Sequence, residues 1–166
     1  NEAKVTKTVT KTDSTNVDGS TSTTANTMNY AYGTAASVGS NQGYAYVGQS
    51  GYSGNLVGAD SVSDTEGQDI FGNSYTSRAV SVYAVISGQA KVTSTQTTTN
   101  STNVDGSTSE TVNTMNYAYG KVGELAGADS KAATTGRDIF GNSYTSNSVS
   151  EYTIIANEAK VTKTVT

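Results

Sequence analysis

The stretch NEAKVTKTVTKTDSTNVDGSTSTTANTMNYAYG, residues 1 to 33, decides the fold class. From its third residue the side chains alternate, with Ala3, Val5, Lys7 and Val9 on one side and Lys4, Thr6, Thr8 and Thr10 on the other. This is the two-residue period of a pleated strand, and Thr and Val both favour strands. Asp18-Gly19 then supplies a dipeptide that tolerates positive φ and suits a two-residue type I′ hairpin turn. Folding there sets Val9 opposite Met28, Lys7 opposite Tyr30 and Val5 opposite Tyr32, with the large side chains gathered on one face. In the same register Val92 meets Tyr119 and Ser94 meets Tyr117 further along the chain.

The stretch recurs. Ser14 to Thr21 returns at Ser101 to Thr108 and Asn26 to Gly33 at Asn113 to Gly120, both displaced by 87. Asp69 to Ser77 returns at Asp138 to Ser146, displaced by 69, so the first copy carries 18 extra residues between Gly33 and Gly58. The opening decamer NEAKVTKTVT reappears at Asn157 to Thr166, 156 positions later, which is the two displacements combined. Residues 1–88 thus form a long copy with an insert at about 34–57, residues 89–156 a short copy, and 157–166 the start of the next copy or a strand shared with a neighbouring unit. Self-similarity at a fixed period marks repeat arrays. The expected fold is all-β, with antiparallel hairpins forming tandem β-sandwich-like or β-solenoid-like repeat units joined end to end.

A second hairpin is read at Asp69 to Thr76 and Asp138 to Thr145, where Gly-Asn forms a tight turn with Ile70 opposite Tyr75 and Ile139 opposite Tyr144. Of the two faces of the following strand, Val82 and Ala84 become Glu151 and Thr153, whereas Tyr83 and Val85 become Tyr152 and Ile154. The Tyr83/Val85 face is the core candidate. Gly120 to Ala133 lacks clear alternation and reads as a loop.

Composition narrows the chemistry. The chain has no Cys, His, Trp or Pro, so disulfides, thiolate or imidazole metal sites and imidazole acid-base catalysis are excluded. No enzyme activity, cofactor or metal is expected. Charged residues make up 14% with a net charge of −4, and no Lys/Arg stripe offers a nucleic-acid partner. The most apolar run, Ala79 to Ile86, is too short for a membrane span, so no membrane insertion is expected. A cysteine-free, Ser/Thr/Gly-rich composition points to an extracellular or cell-surface setting. Composition and periodicity resemble those of repetitive secreted fibre proteins.

Candidate sites are few. Asp60, Asp64, Glu66 and Asp69 are candidate oxygen ligands for calcium, but copy two replaces Asp64 with Ala133 and Glu66 with Thr135. Tyr44, Tyr46 and Tyr52 stand among Gly and Ser in the insert, as a candidate contact surface for a glycan or protein. Asn100 opens the sole Asn-x-Ser/Thr sequon, an attachment point for a glycan. Ala3, Val5 and Val9, with Ala159, Val161 and Val165, are the candidate inter-unit strand. The leading expectation is a structural repeat unit of an extracellular filament or cell-surface fibre, assembled head to tail with copies of itself through shared or donated β-strands. The alternative is an adhesin or carbohydrate-binding module that uses the Gly/Tyr-rich insert.

Overall fold

A computed structural model describes residues 4–33, 55–155 and 158–166. They form a single nine-stranded antiparallel sheet in which every strand pairs with its sequence neighbours. The strands are β1 Lys7–Thr15, β2 Thr21–Tyr32, β3 Leu56–Gln68, β4 Ser74–Ile86, β5 Gln89–Thr102, β6 Thr108–Tyr119, β7 Leu125–Arg137, β8 Ser143–Ile155 and β9 Glu158–Val165. No helix occurs among the described residues. Copy one supplies β1 to β4, copy two β5 to β8, and the repeated decamer β9. The segment 120–133 is not a loop: Gly120 to Glu124 make a turn, and β7 begins at Leu125.

The hairpin registers differ from the sequence reading by the size of the turn. At the first hairpin the Asn16 amide donates to the Ser20 carbonyl and the Gly19 amide to the Asn16 carbonyl, each at 2.9 Å. The loop therefore holds three residues, Val17, Asp18 and Gly19, with Gly19 at φ +91°. It is a type I turn closed by a left-handed glycine, not a two-residue type I′ turn. The additional loop residue moves the register by one, so Thr8 faces Met28, Lys7 faces Asn29 and Val9 faces Thr27. A one-residue slip exchanges the faces, which separates Val9 and Lys7 from Met28 and Tyr30. The same turn at Asn103 to Ser107 places Ser94 opposite Asn116 rather than Tyr117. Val92 faces Tyr83 in β4.

Asp69 to Asn73 and Asp138 to Asn142 close in the same way, through Gly72 and Gly141 at φ near +90°. Ile70, Phe71, Ile139 and Phe140 are consequently exposed turn residues, and Tyr75 faces Gly67 instead of Ile70. Tyr144 likewise faces Gly136. Each ring lies where a Cβ on the facing glycine would stand, the aromatic cover that a bare glycine in a sheet attracts. The one two-residue turn in the described residues is Ser87-Gly88, with φ +51° and +76°. It joins Ile86 to Gln89 in type I′ geometry, which the Asp-Gly turns do not adopt.

Register fixes two faces. The hydroxyl face carries Met28, Tyr30, Ser61, Ser81, Thr95 and Met115. The opposite, charged face carries Lys7, Asn29, Asp60, Val82, Ser94 and Asn116. Tyr83 and Val85 lie half-buried on the hydroxyl face, on the side the copy comparison had singled out. Neither face closes over a core: Ala31 is the one buried apolar residue among those described. Order rests on the backbone ladder and on cross-strand side-chain pairs, each worth about 0.2–1 kcal/mol. Such pairs include Thr24 with Thr65 at 3.0 Å, Ser77 with Thr99 at 3.1 Å and Thr111 with Thr134 at 3.0 Å.

Candidate functional site

The strands that open the copies build the most informative site: β1 and β9 carry the repeated decamer, and β5, which keeps Ala-Lys-Val-Thr at 90–93 but has Ser94 for Lys7 and Gln96 for Val9, holds the equivalent place in the second copy. β5 is paired on both sides, with β4 before it and β6 after it. β1 makes the second half of that environment. Its pair Lys7 and Asn29 corresponds to Ser94 and Asn116, and Thr15 and Thr21 to Thr102 and Thr108. β9 makes the first half, where Tyr152 and Val161 correspond to Tyr83 and Val92, and Ile155 and Glu158 to Ile86 and Gln89. Among the described residues, the side of β1 away from β2 and the side of β9 away from β8 carry no strand.

A bulge belongs to the junction. In β5 the extra residue is Thr93, whose hydroxyl donates to the Val82 carbonyl at 3.2 Å. In β9 it is Thr162, donating to the Glu151 carbonyl at the same distance. The bulge interrupts the strict alternation read from sequence. Ala159 and Val161 face Ile154 and Tyr152 on the hydroxyl face, while Val165 faces Val149 on the charged face. Val161 and Val165 are 57% and 55% exposed, close to Val5 and Val9 at 59% and 62%. Ala3 lies outside the described residues, and β1 starts at Lys7, so only Val9 of the first decamer's candidates stands in a described strand.

Charge is sorted by face. Every charged side chain of the paired strands projects on the charged face, including Lys11, Asp64, Arg78, Glu110, Lys131 and Glu151. Arg78 binds Asp64 at 2.8 Å, and Lys163 stands opposite Glu151. The Asn29 side-chain Nδ2 donates to buried Asp60 at 2.7 Å, and the Asn116 Nδ2 to Asp129 at 3.0 Å. A depression of about 620 Å³ opens chiefly on this face, between residues such as Ala25, Glu66 and Thr98. Asp60, Asp64 and Glu66 do not converge. They follow one another along β3, and Asp69 is spent on its turn, where it accepts from the Phe71 amide at 2.8 Å and the Asn73 amide at 3.0 Å. Among the described residues no group of His, Cys, Asp or Glu is placed to hold a metal.

The turn aspartates share one electrostatic state. Hydrogen bonds from Ser20 hold Asp18 below the ordinary carboxylate range, and those from Ser107 do the same for Asp105. The Asn73 and Asn142 side chains and amides lower Asp69 and Asp138. Burial raises Tyr119, with Tyr117 adding to the shift. These four aspartates sit at one end of the strands beside an unusual apolar ridge. Both phenylalanines of the chain stand there, Phe71 at 74% and Phe140 at 83% exposure, together with Val17 and Val104. Neighbouring turns touch, since the Val104 amide donates to the Asn73 side-chain oxygen at 3.0 Å. The sequence reading missed this ridge because it had placed Ile70 and Ile139 inside strands.

Asn100 is exposed on the charged face of β5, opposite Glu110. Tyr44, Tyr46 and Tyr52 fall outside the described residues. Set against known protein families, curated proteins and solved structures, the chain finds no match. No helix among the described residues is long and apolar enough to cross a membrane.

Proposed function

We propose that the chain is a structural, non-catalytic repeat unit of an extracellular filament or cell-surface fibre. Successive copies add four strands at a time to one continuous sheet, whose strands run across the filament axis. The observation that carries the reading is the matching registers of the three copy-opening strands: two-sided at β5, and one-sided among the described residues at the decamer strands β1 and β9. Seating the next copy's opening strand where β9 lies would reproduce β5's surroundings and extend the ladder. In one long polypeptide the decamer opens the next copy; between separate chains it is a donated strand. Head-to-tail contacts that do not close give open filaments, and each added copy covers a strand edge that would otherwise aggregate.

The finer architecture we favour is sandwich-like, with the coreless sheet packed against a second layer, because a sheet gains stability by burying a face. The Ser/Thr/Gly-rich, cysteine-free composition supports an extracellular setting. Oriented fibres of the protein should give a reflection at about 4.8 Å along the fibre axis. Discrete particles of 17.0 kDa with no tendency to align, or a 4.8 Å repeat perpendicular to the axis, would overturn the proposal.

A further inference from the structure

We infer that the hydroxyl face is a self-recognition surface, which pairs with the hydroxyl face of a second copy to make a two-layered sheet. The inference deepens the filament reading, but different residues carry it: the face, not the strand edges.

Three observations converge. First, among the described paired strands the hydroxyl face bears no charged side chain, whereas the other face bears cations and anions. Burying the hydroxyl face strips water from no ion, while burying the other would desolvate many. Second, its groups are self-complementary. Ser and Thr hydroxyls both donate and accept, and they already form rows such as Ser81 with Thr95 at 2.9 Å and Ser150 with Thr164 at 3.0 Å. Short Ser, Thr and Ala side chains let two sheets approach closely, as in dry interfaces between identical strands. A band of larger groups, including Tyr30, Tyr83, Val92, Tyr117 and Tyr152, supplies apolar area on the same side.

Third, the area suffices. Nine strands span about 38 Å at about 4.8 Å per spacing, and strands of about 12 residues run about 40 Å. One face is then on the order of 1,500 Å², and a pair would bury about 3,000 Å², beyond the roughly 1,200–2,000 Å² of a stable interface. A sheet with Ala31 as its one buried apolar residue among those described has a physical reason to make that contact.

The absence of cysteine makes a direct test available. Light scattering on the 166-residue chain should give masses in multiples of twice 17.0 kDa. Thr97→Lys and Ala132→Lys, on the hydroxyl face, should halve the smallest species; Thr98→Lys and Ala133→Lys, on the charged face, should not. Because lysines in strands can impair folding, single cysteines give an independent readout. Ser63→Cys should react with a thiol reagent at least tenfold more slowly than Val62→Cys, and dilution should abolish the difference.

Single chains at every concentration, equal reactivity of the two cysteines, or mass gained only on adding a glycan or another protein would overturn the inference. Large assemblies untouched by the hydroxyl-face lysines would overturn it and leave the filament reading standing. Pairs that never grow longer would do the reverse.

Discussion

Gly72 shows at residue scale why five-residue turn motifs, rather than dipeptides, set this fold. Its φ of +92° closes the Asp69 to Asn73 turn, and a Cβ there would stand 3.0 Å from Val104 Cγ1. Gly72→Ala should therefore lower stability by about 1–2 kcal/mol, read as a shifted denaturation midpoint. A neutral result would mean that the turn is not left-handed at this residue. The turn aspartates titrate in a set direction. Their folded pKa values lie below the unfolded ones, so their contribution is present above about pH 4 and lost as pH falls through the folded values. The protection factors of the Ser20, Asn73, Ser107 and Asn142 amides, taken relative to the intrinsic exchange rate at each pH, should fall below about pH 4, ahead of those in the strand centres. Protection at these four amides that stays unchanged through the acid range would contradict the assignment.

Among the elements, most strands were legible, but β3, read as an acidic loop, and β7 were not, and neither were the hairpin registers. Alternation of Thr and Val exposed β1 and β5, and the repeats located their partners, but the two-residue reading of Asp-Gly moved every pair by one. The missing signal was in plain view: Asn16 and Ser20 flank Val-Asp-Gly as Asp69 and Asn73 flank Ile-Phe-Gly, which marks a three-residue loop. β7 escaped because its alternation is between small residues, Ala128, Ser130 and Ala132 against Asp129, Lys131 and Ala133. Bulges leave no comparable mark, since Thr93 and Thr162 sit among other threonines. Deleting Thr93 should force the start of β5 either to lose its pairs with β4 or to turn Val92 away from Tyr83. We expect a loss of about 1–3 kcal/mol in chemical denaturation, within the usual range of damaging changes. Unchanged stability would show that the bulge does not set the register.

For the whole molecule, the repeats matter more than any single contact. Ala31 apart, the described apolar residues stay at least partly exposed, so the sheet relies on ladder hydrogen bonds, hydroxyl rows and, by our inference, a second layer. The junction strand was legible in the sequence as a repeated decamer. Its one-sided pairing at β1 and β9 was not, because pairing depends on neighbours that a strand's own residues do not name. The most direct test compares the chain with a version extended by one more 156-residue unit, using small-angle scattering to read the maximum dimension. Eight further strands should lengthen the particle by about 38 Å at nearly constant cross-section. A particle that instead thickens, or separates into two bodies joined by a flexible link, would contradict the continuous sheet.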